Sequence, residues 1–260
     1  MIQTIEIRRG KGKRGAPEPV AAVRLAMGQV ASVVGPTGSG KTTLINDFEV
    51  FADGSTPTGR TVLVDGRPAP DELRDDPASH PIALITQHTN FLSDLPVLEF
   101  LRTHAQIRGG GAGVEAATGE ALAFADELTG EPIEPRWRMT ELSGGQTRAL
   151  LIADAVVIGN APIILLDEIE NAGIHRMRAL ELLRRYEKIF VFVTHDPYIA
   201  LLSDIRIVMA GGAMAKLLVT SDAERRLAHR LRAVDESLLA LRERIRLGES
   251  LEDSHLEVEL

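Results

Sequence analysis

The sequence predicts an α/β fold, a mainly parallel β-sheet covered by helices on both faces. Three observations carry this. Short aliphatic runs alternate with helical stretches along the chain, the order from which parallel sheets are built. A glycine-rich turn, "GPTGSGKTT" at 35–43, links one such run to a helical stretch. Another run, "IILLDE" at 163–168, ends in two carboxylates.

Taken in order, residues 2–7, "IQTIEI", alternate apolar and polar as a half-buried strand does. "RRGKGKRGAPEP" (8–19) gathers Arg, Lys, Gly and Pro and reads as a flexible basic loop. "QVASVVG" (29–35) is a short buried strand running into the glycine-rich turn, and "TVLVDG" (61–66) is a strand closed by an Asp-Gly turn. "PIALITQ" (81–87) is a further buried strand. From about 91 to 130 the pattern is helical, interrupted by "GGGAG" at 109–113. "APIILLDE" (161–168), "KIFVFVTHD" (188–196) and the hairpin-like "IRIVMAGGAMAKLL" (205–218) supply more strands. "GGQTRALLIADAVVI" and "RMRALELLRRYE" read as helices between them.

The 260 residues suffice for one large α/β domain, or for one domain with an appended segment. A net charge of −8 argues against a surface that coats nucleic acid. The absence of cysteine excludes disulfides and thiolate metal sites and fits a reducing compartment. No apolar run approaches the ~20 residues needed to span a bilayer, and the N-terminus lacks the apolar core of a signal peptide. No direct membrane insertion is expected. If the protein works at a membrane, a partner holds it there.

The turn at 35–43 matches G-x-x-x-x-G-K-[ST] between a strand and a helix. Gly35, Gly38 and Gly40 let the backbone curl so that the N–H groups of Pro36-Thr37-Gly38-Ser39-Gly40 and the residues after them face a polyphosphate (Pro36 itself has none to offer). The helix that follows adds its partial positive charge. Lys41 reaches toward the β- and γ-phosphates, Thr42 offers a hydroxyl to Mg²⁺, and Thr43 can bond the α-phosphate. At the end of the 163–168 run, Asp167 is placed to hold Mg²⁺ and Glu168 to polarise an attacking water.

Three further pieces identify the class. "LSGGQ" (142–146) lies between those two motifs, just before a helix. "ITQHTNFL" (85–92) puts Gln87 at a strand end, and "VTHD" (193–196) puts His195 at another. Over roughly residues 1–218 the chain resembles an ABC-type (ATP-binding cassette) ATPase. The resemblance implies an antiparallel N-terminal β portion beside the parallel core, and a helical subdomain at about 88–160. It implies ATP and Mg²⁺, with Thr42, Gln87 and Asp167 around the metal and Glu168, Gln87 and His195 as catalytic residues. It implies a head-to-tail dimer, with a second copy or a related ABC subunit, in which Ser143, Gly144, Gly145 and Gln146 of one subunit close over the nucleotide of the other. It also implies a docking surface around "HTNFLSDLPVLEFL" (88–101) for a transmembrane permease. On this reading the protein is cytoplasmic, at the cytoplasmic face of a membrane when assembled.

The sequence departs from the family in two places. Residues 1–34 contain no Phe, Tyr or Trp, where most members stack an aromatic ring on adenine. Lys11, Lys13 and Arg14 stand in that loop instead. An arginine plane could stack on the base, or base contact could be loose, so weak discrimination between ATP and GTP is expected. After Glu168 the family commonly shows P-T-S-A-L-D; here "IENAGI" (169–174) puts Ile174 at the place of the final carboxylate, with Glu170, Asn171 and His175 as other polar groups. Either this is a tolerated variant of a surface loop, or the coupling across the dimer is changed. Two functions follow: the ATP-binding subunit of a membrane transporter, or a cytosolic ABC ATPase that remodels a soluble client protein or metallocofactor enzyme.

The C-terminal segment is different in kind. Leu227, Leu231, Val234, Leu238, Leu241 and Ile245 recur at spacings of four and three, one apolar stripe on a helix expected over 219–247. It could pack on its own domain, or serve self-association or partner docking. The acidic tail 248–260 is expected to be mobile.

Overall fold

The computed structural model of the chain describes residues 2–76, 80–86, 88–109, 113–168 and 176–251. Strands β3 (Val30–Val34), β6 (Ile82–Ile85), β7 (Ile163–Asp167), β8 (Ile189–Val193), β9 (Ile205–Ala210) and β10 (Ala213–Val219) form one sheet in the order β10-β9-β3-β8-β7-β6. All neighbours are parallel except β9 and β10, which form the expected hairpin. Parallel pairing brings the carboxyl ends of β3, β6, β7 and β8 to one edge, where the glycine-rich turn, Asp167–Glu168 and His195 follow β3, β7 and β8.

Both faces of this sheet are buried, which is why its strands read as unbroken aliphatic runs. On β7, Ile163 and Leu165 point into one core and Ile164 and Leu166 into the other; on β8, Ile189, Val191 and Val193 oppose Phe190 and Phe192. The first core is closed by helix α1 (Lys41–Glu49), through Leu44, Ile45 and Phe48, and by a second, antiparallel sheet. That sheet has the order β2-β1-β4-β5, from β1 (Thr4–Arg8), β2 (Ala22–Ala26), β4 (Thr61–Val64) and β5 (Arg67–Pro68). It is the expected antiparallel N-terminal portion, although β2 itself carries only two buried side chains, Val23 and Leu25, and sequence reading passed it over.

The second core lies under the helices α3 (Val97–Gly109), α4 (Val114–Thr129), α5 (Gly144–Ala153) and α6 (Arg176–Leu183). The helical pattern expected from 91 starts at Val97, behind Pro96; the sole tryptophan, Trp137, accepts the Val97 N–H on its carbonyl oxygen at 2.9 Å. Its side chain remains 41% exposed. After α5 the helix widens into a π segment, Asp154–Ile158, where the Gly159 N–H donates to the Asp154 carbonyl at 2.7 Å. The short helices α2 (Asp71–Asp75) and α7 (Pro197–Leu202) complete the body.

The loop at 8–19, expected to be flexible, is tied to itself and to its neighbours. Lys11 and Pro17 form an antiparallel bridge, and the N–H groups of Gly12 and Gly15 donate to Ala16 and Gly12 carbonyls, both at 2.9 Å. The sequence reading missed its anchor, the buried Arg60. Helix α8 (Asp222–Arg246) begins later than 219 because β10 runs to Val219 and Ser221 and Glu224 then cap each other's backbone amides, at 2.9 and 3.3 Å. Residues 252–260, and with them most of the acidic tail, lie outside the described residues.

Candidate nucleotide site

The phosphate loop turns out of β3 against the β9–β10 turn. Gly35 has φ +152°, and a Cβ there would lie 2.5 Å from the Met209 carbonyl oxygen and 2.8 Å from Ser39 Oγ. Gly40 has φ +99°, and a Cβ there would meet Gly212 Cα at 3.0 Å. Only glycine fits these two contacts and torsions. The Gly212 N–H donates to the Ser39 carbonyl at 2.9 Å, so the turn props the loop from behind. Lys41 donates to the Gly35 and Pro36 carbonyls at 2.9 and 3.4 Å. Pro36, Thr37 and Gly38 at the tip are exposed, as are Thr42 and Thr43 in the first turn of α1. That first turn carries N–H groups with no helical acceptor, which suits an anion. Ser39 Oγ is buried in the loop without a hydrogen-bond partner among the described residues. A cradle that a side chain would fill, an orphaned hydroxyl and a free helix end together fit a polyphosphate.

Two strands away, Asp167 ends β7 and Glu168 follows with φ +51°, its N–H donating to the Val193 carbonyl at 3.0 Å. A left-handed backbone on a glutamate is strained, by on the order of 1–3 kcal/mol, and persists because strands β7 and β8 hold both sides of it. After β8, the Thr194 N–H donates to the Val33 carbonyl at 3.2 Å, and Asp196 caps α7 by accepting from Tyr198 and Ile199 at 2.9 and 3.1 Å. His195 stands exposed between these two buried neighbours. The donor set of Thr42 and Asp167, a hydroxyl and a carboxylate, fits a Mg²⁺ that keeps several waters. Gln87, and the loop residues Ile169–His175 with Glu170, Asn171 and Ile174, lie outside the described residues.

The signature residues begin α5. Ser143 accepts from the Gln146 N–H at 3.2 Å while Gln146 Oε1 accepts from the Ser143 N–H at 3.0 Å, a reciprocal cap. Gln146 Nε2 also donates to the Pro132 carbonyl at 3.2 Å, so this side chain is engaged within its own chain. Ser143 and Gly144 are exposed and Gly145 is half-buried. Side chains of α5 fill one core and those of α1 the other, so signature and phosphate loop are carried on opposite faces of the sheet.

A buried ion cluster fixes the base of the site. Arg60, fully buried, donates to both Glu18 oxygens at 3.1 and 2.6 Å, to Asp47 at 2.9 Å and to the Gly212 carbonyl at 2.9 Å. Glu18 accepts as well from the Gly10 and Met214 N–H groups at 2.8 and 2.6 Å. Burial alone would raise the Glu18 carboxyl; Arg60 and the two amides outweigh it and hold it below the ordinary glutamate value. The cluster ties together the 8–19 loop, α1, β4 and the β9–β10 turn.

Residues 21–171 match the family model described as ABC transporter. An uncharacterized ABC transporter ATP-binding protein of Methanocaldococcus jannaschii is 48% identical over 250 residues, 96% of this chain and 95% of that protein. The lipoprotein-releasing system ATP-binding protein LolD of Bacteroides fragilis is 29% identical over 200 residues, 73% of this chain and 89% of that protein. In fold, the chain is similar to an ATP-binding cassette solved as a dimer in a post-hydrolysis state bound to ADP and Pi: TM-score 0.61, 24% identity, covering 84% of this chain and 99% of that one. The family model spans more than half of the chain and the Methanocaldococcus relative nearly all of it, so the chain belongs to the ABC transporter family.

Proposed function

We propose that the chain is the ATP-binding subunit of a membrane transporter, a Mg²⁺-dependent ATPase that works at the interface of a head-to-tail dimer. The observation that supports this is the edge where β3, β7 and β8 end together: Lys41 and Thr42 lie in the loop and helix after β3, Asp167 and Glu168 close β7, and His195 follows β8. The loop N–H groups and Lys41 bind the triphosphate. Glu168 orients the attacking water and takes its proton, and His195 contacts the γ-phosphate. Thr42 and Asp167 and, on the family resemblance, Gln87 would hold Mg²⁺, which when bound would neutralise charge on the phosphates. On the family resemblance, Ser143, Gly144 and Gly145 complete the site of a second subunit; that α1 and α5 pack on opposite faces of the sheet supports this reading.

No helix among the described residues is long and apolar enough to cross a membrane. Attachment to the cytoplasmic face is therefore assigned to a permease, at the segment 88–101. Leu92 is fully exposed there and Leu95 is 37% exposed, while Phe91 packs edge-on against Phe100 at 4.8 Å. Exposed leucines on a braced segment suit an apolar partner helix.

The test uses Glu168→Gln, which should lower ATP turnover at least a hundredfold while ATP binding persists. Tagged Glu168→Gln recovered with ATP from membranes should bring a multi-span protein with it, and Leu92→Glu in that background should lose it. Turnover at the parent rate would remove Glu168 from its assigned role; a soluble partner in place of the multi-span one would favour the remodelling ATPase.

A further inference from the structure

We infer that Lys13 is a second cation of the nucleotide site, binding the polyphosphate of a nucleoside di- or triphosphate from the side of the base. This rests on the ATPase reading above and deepens it. Lys13 donates to the carbonyl of Gly38, at the tip of the phosphate loop, at 2.7 Å. Its own N–H donates to the Gly211 carbonyl at 2.9 Å, and its stem lies on Gly212, where an added Cβ would meet Lys13 Cγ at 2.7 Å. Gly212 in turn holds the Ser39 carbonyl and faces Gly40. Lys13, the glycine turn and the phosphate loop are therefore stacked in three layers.

This placement is built rather than incidental. The loop carrying Lys13 is bridged at Lys11 and Pro17, the Lys11 N–H donates to the Thr58 carbonyl at 2.8 Å, and buried Arg60 grips both Glu18 and Gly212. Among the described residues no carboxylate lies within ion-pair distance of the Lys13 ammonium. Lys41 shows the same state on the other side of the loop, bonded to carbonyls only. Two exposed or half-buried ammonium groups resting on carbonyls of one loop are a cationic pair without its counter-charge. A polyphosphate in the loop supplies that charge, and Lys13 needs only a rotamer change of its flexible stem to reach it.

The consequence is a site that reads charge rather than base. Lys13 comes from the same N-terminal loop that lacks an aromatic ring, so this loop gives the ligand an ammonium and no stacking plane. Adenine and guanine nucleotides should lose affinity together when it is removed.

Titration calorimetry with MgADP and MgGDP tests this on the full chain. The parent should bind both with similar affinity. Lys13→Met, which keeps the stem on Gly212 and removes only the charge, should weaken both about tenfold, as expected for one charge-assisted hydrogen bond. Lys13→Ala should do the same, Lys13→Arg should stay near the parent, and the neutral variants should show a shallower dependence on salt. Binding by Lys13→Met within twofold of the parent, or a loss confined to MgADP, would overturn the inference while leaving the ATPase reading intact. A parent that binds neither nucleotide would overturn both.

Discussion

Arg60 shows how much a single side chain can settle. It is fully buried, paired with Glu18 and Asp47, and it carries the turn that backs the phosphate loop. Removing it leaves the Glu18 and Asp47 carboxylates buried without their counter-charge and the Gly212 carbonyl without the Arg60 donor, although Gly10, Met214 and Thr58 still donate to the carboxylates. Arg60→Met should destabilise the fold by about 3–5 kcal/mol in a urea titration. The cluster also predicts an acid limb. Glu18 is held below its ordinary value of 4.5, so its contribution is complete above that pH and is lost as pH falls through the lower, folded value. Lys188 works the other way. Burial brings it down to about 8 from 10.5, with Asn160 Oδ1 and the Ala161 carbonyl as acceptors at 2.7 and 3.0 Å. Between pH 8 and 10.5 the unfolded chain binds more protons at this group, so its penalty shrinks as pH rises. The difference in thermal midpoint between the parent and Lys188→Met should therefore shift in favour of the parent from pH 7 to pH 10. None of these roles could be read from the sequence. An isolated Arg between Gly59 and Thr61 has no local signature, because its partners come from positions 18, 47 and 212. Lys41, Asp167 and Glu168 stand out in the sequence because the motifs that single them out are made of adjacent residues.

Elements with strong local signals were found where expected: β3 and its glycine turn, β6 to β9, and α5 behind its serine cap. Elements made by their surroundings were missed. β2, "AVRLA", is a strand because β1 pairs with it from Thr4↔Ala26 to Arg8↔Ala22, and α7 is six residues held by Asp196. The tied 8–19 loop belongs here too, since its Gly and Pro content suggests freedom while its contacts remove it. For α8, the expected packing on its own domain is present in the first half, although Leu227 of the apolar stripe stays 46% exposed. Its first half packs: Ala228 is fully buried, Arg225 and Arg232 pair with Asp204 and Glu181 at 3.4 and 3.2 Å, and Glu224 pairs with Arg206. Its second half exposes Leu238 and Ile245, 41% and 60%. Ala228→Asp should thus lower stability by about 2 kcal/mol or more, while Leu238→Glu should change it by less than about 0.5 kcal/mol, both read from denaturant midpoints.

At the scale of the whole molecule, the sheet is a partition. It separates a core closed by the helix after the phosphate loop from a core that holds the signature helix, and on the proposed head-to-tail reading a nucleotide site is completed only when two molecules meet. A mixing experiment follows. Lys41→Ala has no working phosphate loop and Ser143→Glu no working signature; each alone should hydrolyse ATP at no more than a few per cent of the parent rate. Mixed, they can form a dimer with one intact composite site, and activity should rise several-fold above either variant. An additive result would count against the head-to-tail arrangement.

Trp137 gives this partition a practical use. The chain has one tryptophan, part-exposed, with its backbone joined to the start of α3 and its place in the sequence just ahead of the signature. Every photon of indole emission therefore originates in the helical layer, and none from the phosphate-loop side. Any movement of that layer on nucleotide binding would be read as a wavelength shift in unlabelled protein, on the time base of a stopped-flow mixer.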